Sequence, residues 1–164
     1  MPTSNSYAFE QLTPADVGGM KRLLTVFADV FDDLATYQGA VPSDAYLTGL
    51  LAKPHFIALV ARADDEIAGG LAAYVLEKFE QDRSEAYIYD LAVLEAHRRR
   101  GVATGLIELL QTVAGRRGAY VIYVQADLTD DPAIALYSKL GVREDVLHFD
   151  IAVADEAGAD RNGR

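Results

Sequence analysis

Tyr87-Ile-Tyr-Asp-Leu-Ala-Val93, followed after three residues by His97-Arg-Arg-Arg-Gly-Val-Ala103, is the stretch whose reading decides the fold. The first segment alternates as a strand does. The second is a basic turn containing a glycine, and beyond it Val102, Leu106, Leu109 and Val113 recur on one face at helical spacing. A strand that runs through such a turn into a helix is suited to hold a pyrophosphate. Glycine and alanine at 101 and 103 remove side chains where the backbone approaches an anion, so successive N–H groups and the positive end of the helix can face phosphate oxygens. On its own, Arg-x-x-Gly-x-Ala is common in ordinary helix starts, and only the flanking strand and helix make it specific.

Working outward, 164 residues suffice for one domain with a real core. There is no cysteine, which removes disulfides, thiolate metal sites and a cysteine-bound acyl intermediate. Met1-Pro-Thr-Ser-Asn-Ser lacks the regions of a signal peptide, and no apolar run reaches membrane-spanning length, so the expected location is the cytoplasm. The formal net charge is −10, which argues against nucleic acid. Basic charge gathers at Arg98 to Arg100 and at Arg116-Arg117. Acid gathers at Glu77, Glu80, Asp82 and Glu85, and again at Asp127, Asp130 and Asp131. Taken singly these are solvated surface charges; together they point to a cationic acceptor.

Along the chain, Tyr7 to Leu12 reads as a strand. Thr13-Pro14-x-Asp16 reads as the capped start of a helix reaching about Phe31. Ser43 caps a second helix that Pro54 stops. Phe56 to Ala63 and Ile67 to Glu77 read as strands joined by an acidic turn, and Tyr87 to Leu94 as the next strand. Gly118 ends the helix after the basic turn. Ala119 to Gln125 is then a buried strand, Asp131-Pro132 opens a short helix to Leu140, and Val146 to Val153 is a last strand. The expected domain is 1–154, with 155–164 a disordered tail.

This order gives a three-layer α/β arrangement with a mixed, mostly antiparallel sheet, and at this point the chain resembles the GNAT acetyltransferases. The resemblance is carried by Leu91-Ala-Val93, Arg98-Arg-Arg-Gly-Val-Ala103 and Ala135-Leu-Tyr-Ser-Lys-Leu-Gly141. More narrowly, Phe79-Glu-x-x-Arg83-Ser-Glu, Tyr87 to Val93, Ala119 to Asp127 and His148-Phe-Asp-Ile151 are similar to the type I aminoglycoside 3-N-acetyltransferases that modify gentamicin and fortimicin. The resemblance implies acetyl-coenzyme A as cosubstrate. Its pyrophosphate would lie on Arg98, Arg99, Arg100, Gly101, Val102, Ala103 and Thr104, and its pantetheine arm along Leu91, Ala92 and Val93, where a splayed strand offers unpaired backbone groups.

An ammonium must lose a proton before it attacks a thioester, and Asp90, one residue before the pantetheine segment, is the candidate base. The competing reading of Asp90 is a strand-end carboxylate satisfied by backbone amides. By the resemblance Tyr137 stands as the general acid, and the Val93 N–H is the oxyanion donor. Glu80, Glu85, Asp90, Asp127, Asp130, Asp131 and Asp150 are the acceptor-binding candidates, and Asp32, Asp33 and Tyr37 could close over the same pocket. No serine lies in a nucleophile elbow, so transfer is expected to be direct, in a ternary complex. His55, His97 and His148 lack ligand spacing and no metal is expected. The expected partner is a polycationic aminoglycoside, with a polyamine or protein amine as the alternative acceptor and a non-catalytic acetyl-coenzyme A module as the alternative class. A homodimer is expected through the last strand.

Overall fold

In Phe56–Ala63 seven of eight residues are buried, so this strand must be covered on both faces. The computed structural model describes residues 6–154 and divides the chain into two units, 1–126 and 127–164. The first unit runs β1 (Ala8–Gln11), α1 (Val17–Phe31), α2 (Leu34–Gln38), α3 (Asp44–Leu51), β2 (Phe56–Ala63), β3 (Glu66–Glu77), β4 (Ser84–Val93), a 3₁₀ turn (Glu95–His97), α4 (Val102–Arg116) and β5 (Ala119–Val124). The second carries α5 (Asp131–Leu140).

The sheet has the order β1-β2-β3-β4-β5 and is antiparallel except for the parallel β4–β5 pair, which α4 connects as a crossover. This is the mixed, mostly antiparallel sheet expected from the order of elements. Phe56, Ala58 and Val60 of β2 and Ala72 of β3 face Met20, Leu23, Val26 and Phe27 of α1 and Leu47 and Leu51 of α3 in one core cluster. Gly70 belongs to that face. A Cβ there would lie 2.5 Å from the Leu23 side chain, so only glycine lets α1 seat on the sheet. The alternate residues Ile57, Leu59, Leu71 and Ile88 are also fully buried, and α4, which packs on β2, β3 and β4, brings Leu106 and Leu110 to them.

A β-bulge in β4 decides where the next side chains go. Ile88 pairs with Ala73 and Asp90 with Ala72, which leaves Tyr89 as the extra residue. By plain alternation Asp90 would share the face of Ala86 and Ile88. The bulge moves it to the opposite face, in phase with Ala72 and α1.

Several sequence expectations need correction. The first helix starts at Val17 with Asp16 as N-cap, not Thr13, because Asp16 Oδ2 accepts from both the backbone N and Oγ1 of Thr13 at 2.8 Å and closes the preceding turn. Residues 34–38, read as loop, form α2, whose N-cap Asp33 accepts from Thr36 N. β4 begins at Ser84, three residues before its predicted start, through pairing with Gly118 and Ala119. Val146 to Val153 has no strand structure: Leu147, Phe149 and Ile151 alternate as a strand would, but among the described residues they form no ladder and they are exposed. The expected tail at 155–164 lies outside the described residues.

Candidate active site

The parallel strand β5 pairs with β4 only from Ser84 to Ile88. From Tyr89 to Val93, among the described residues, β4 has β3 on one side and no strand on the other. Antiparallel pairing directs alternate residues to opposite neighbours. Leu94 N donates to Ala68 O at 2.9 Å, so Ala92 and Asp90 are the residues bonded to β3, and Leu91 and Val93 turn their backbone groups to the open edge. The Val93 carbonyl already accepts from Arg98 Nε at 3.2 Å. Leu91 N–H and C=O and the Val93 N–H are therefore the groups a pantetheine amide could pair with.

The basic turn follows directly. Arg99 (φ 59°) and Gly101 (φ 79°) both take the left-handed conformation, which turns backbone N–H groups toward one side. Nothing lies within 4 Å of a Cβ built on Gly101, so glycine is demanded there by backbone conformation and not by crowding. α4 has no side-chain N-cap; its first intrahelical bond is Gly105 N to Gly101 O, and the N–H groups of Val102, Ala103 and Thr104 remain orphan donors at the positive end of the helix. Left-handed turn, uncapped helix and open strand edge in sequence fit acetyl-coenzyme A. Arg99 and Arg100 are exposed beside the turn, whereas the Arg98 side chain ties the turn back to the strand through Val93.

The turn is also anchored from behind. His97 is buried at 7 % exposure between Tyr7 Oη, 3.0 Å from its Nδ1, and Glu66 Oε2, 3.0 Å from its Nε2. This histidine is structural, as its lack of ligand spacing suggested.

Asp90 stands half-buried at the head of the open edge, and Tyr37 of α2 donates its hydroxyl to Asp90 Oδ2 at 2.9 Å. Burial pushes the Asp90 carboxyl above the ordinary range, and the Tyr37 hydrogen bond partly opposes that. Burial and the adjacent Asp90 carboxylate push the Tyr37 hydroxyl up strongly, so it is a donor at every physiological pH. The Tyr37 ring packs on Phe27 and Phe31 at 5.7 and 5.8 Å between centroids. Tyr74, Tyr89 and Tyr87 form an edge-to-face series beside the carboxylate, with centroids 6.0 and 5.9 Å apart. These rings were not singled out in the sequence. The outward parity of Tyr87 in a chain read as binding a cation was the available signal, since ring faces attract ammonium groups.

The other acidic candidates separate by environment. Glu80 and Glu85 both pair with Lys78 Nζ at 3.1 Å, and Glu85 also accepts from Tyr120 Oη at 2.9 Å. Lys78 and Tyr120 hold Glu85 below the usual carboxylate range; its own backbone N–H and then Lys78 do the same for Glu80. Glu85 lies five positions before Asp90 on the strand, roughly 16 Å away. In the second unit Asp130 is the N-cap of α5, accepting from Ala133 N at 3.1 Å, Asp131 is in its first turn, and the Asp127 carbonyl accepts from Asp130 N. Asp150 accepts from His148 Nε2 at 2.9 Å. Tyr137 sits on α5, and burial, with Asp130 adding to it, pushes its hydroxyl up. Among the described residues no cluster of three or more His, Cys, Asp or Glu could hold a metal ion, and no helix is long and apolar enough to cross a membrane.

Residues 24–142 match the model of the Acetyltransferase (GNAT) family. An aminoglycoside acetyltransferase from an uncultured soil metagenomic sample is similar over 91 % of this chain and 99 % of its own, at 59 % identity and a TM-score of 0.89. Another from such a sample, solved in complex with sisomicin, shares 31 % identity over 90 % of this chain and 96 % of its own, with a TM-score of 0.83. An N-alpha-acetyltransferase of Saccharolobus solfataricus is 30 % identical over 96 residues, 52 % of this chain and 55 % of that protein. The chain thus spans about half the length of this curated relative.

Proposed function

Because the chain belongs to the GNAT acetyltransferase family, we propose that it acetylates aminoglycosides, at the 3-amino group of gentamicin-type drugs, in the cytoplasm, and so confers resistance. The observation that carries this reading is the continuity of one strand. Asp90 lies in phase with Ala72 on the face that α1 covers, and the next three residues, Leu91 to Val93, run as an open edge into the left-handed turn at Arg99 and Gly101. The similarity to a sisomicin-bound aminoglycoside acetyltransferase supports the choice of acceptor.

Acetyl-coenzyme A supplies an activated acetyl group whose transfer to nitrogen releases a thiol. Arg99 to Thr104 would hold its diphosphate on backbone amides, and the Leu91 N–H and C=O would pair its pantetheine arm, which leaves the Val93 N–H free for the acyl oxygen. Asp90 takes the proton of the acceptor ammonium, directly or through one water, and its raised pKa brings it nearer the working pH, where proton transfer is efficient. The Val93 N–H serves the acyl oxygen. The Tyr137 hydroxyl, kept protonated by burial, donates its proton to the leaving sulfur. Asp90, Tyr74 and Tyr89 hold the ammonium, and Glu80, Glu85, Asp127, Asp130, Asp131 and Asp150 are proposed to attract the remaining amines of a polycation.

A protein amine is the second reading, favoured by the similarity to N-alpha-acetyltransferases. A thiol-release assay with gentamicin, sisomicin, spermidine and an N-terminal alanine peptide separates the two. Turnover with gentamicin, and a product acetylated at the 3-amino group by NMR, supports the first. Turnover with the peptide alone would replace it, and tight acetyl-coenzyme A binding with no turnover on any amine would make the domain a binding module.

A further inference from the structure

We infer that Tyr37 is a positioning residue for Asp90: it holds Oδ2 through a 2.9 Å hydrogen bond, so that Oδ1 is the oxygen presented to the acceptor amine. This rests on the reading of Asp90 as the base. Three features of the structure carry it. Tyr37 is anchored independently of the carboxylate, because its ring lies against Phe27 and Phe31 of α1 while the N-cap of Asp33 and the bond from Gln38 Nε2 to Thr25 Oγ1 fix the rest of α2. The carboxylate is half-buried on a face set by the bulge at Tyr89, so its orientation depends on what it bonds. An ionised carboxylate can only accept, so the Tyr37 hydroxyl donates to Asp90, which fixes the sense of the bond.

The consequence is chemical as well as geometric. A donor to a carboxylate stabilises its charged form, the form that accepts a proton, against the burial that disfavours it. The groups that act on this pair are Tyr37 with Asp33 from the α2 segment, Tyr74 from β3, and Tyr87 and Tyr89 from β4. Burial pushes the Tyr37, Tyr74 and Tyr87 hydroxyls up, away from the range in which a carboxyl titrates. Asp33, held below the usual range by Thr36, is already ionised where Asp90 titrates. Among the groups in this cluster, Asp90 is the one whose titration the Tyr37 bond sets.

The test is Tyr37→Phe, which keeps the ring on Phe27 and Phe31. We expect the acid midpoint of kcat/KM for the aminoglycoside to move up by roughly one to two pH units, the value of one hydrogen bond to the charged form. KM for acetyl-coenzyme A should not change. Direct titration of the Asp90 carboxyl carbon by NMR in both proteins should show the same upward shift without reference to activity. Asp90→Asn separates the two ideas. If Asp90→Asn is inactive while Tyr37→Phe leaves both the acid limb and the carbon titration unmoved, the positioning role is wrong and the base stands. If Asp90→Asn turns over normally, both fall.

Discussion

At Asp90 a carboxyl group is held at some cost to the fold. Burial raises its folded pKa above the unfolded value, so the contribution of this group is fully present below the ordinary carboxylate range and is lost as pH rises through the folded pKa. Asp90→Asn removes that loss. We expect its thermal midpoint to exceed that of the wild type at neutral pH, the difference closing as pH falls below the ordinary carboxylate range, while turnover drops roughly 10²-fold or more and acetyl-coenzyme A affinity holds. A midpoint difference that does not depend on pH would contradict the assignment. Asp90 stood out in the sequence as a candidate because it adjoins the strand end and the basic turn. Its partner Tyr37 was read only as a loop residue that could close over the acceptor pocket, since it lies 53 positions away and no local pattern connects the two. The pairing of Glu80 and Glu85 with Lys78 was equally hidden: spacing reveals a cluster of acids but not which of them a neighbouring lysine neutralises.

Elements whose determinants are local were read closely. Ser43 caps α3 through Tyr46 N, and β2 matches its expected bounds because a continuous apolar run admits little choice. α2 escaped because five residues contain too little periodicity, and α1 starts late because Asp16 competes with Thr13 for the capping role. The turn into α4 permits two graded tests by titration calorimetry. Gly101→Ala keeps the space open but must adopt φ 79°, so cofactor affinity or stability should fall by about 1 kcal/mol. Gly101→Glu places a like charge among the orphan amides and should abolish binding. Wild-type affinity in Gly101→Glu would place the diphosphate elsewhere. Leu23→Ala, at the contact of α1 with Gly70, should cost about 2–5 kcal/mol in urea unfolding, the loss of a fully buried leucine.

Over the whole molecule the net charge of −10 favours a polycation over any anionic partner, with the basic turn as a local exception. We expect KM for gentamicin to rise several-fold between roughly 0.05 and 0.3 M salt, as the Debye length shrinks toward contact distance. A salt-independent KM would mean that short-range contacts alone select the acceptor. The mixed, mostly antiparallel character of the sheet was legible because β2 and β3 form a hairpin and one helix joins β4 to β5, whereas the pairing of β1 with β2 across three helices carries no local signal. The last strand was not, because alternation at Leu147, Phe149 and Ile151 tells which residues would share a face and says nothing of whether an edge is available.

The odd residue at Tyr89 gives β4 two phases. Upstream, Ala86 and Ile88 keep step with the core beneath α4; downstream, Asp90 and Ala92 keep step with Ala72 and Gly70. Under the proposed function, substitutions at Glu85 or Tyr87 would alter the acceptor side without rotating Asp90, so acceptor choice and proton transfer would be separable along a single ten-residue segment.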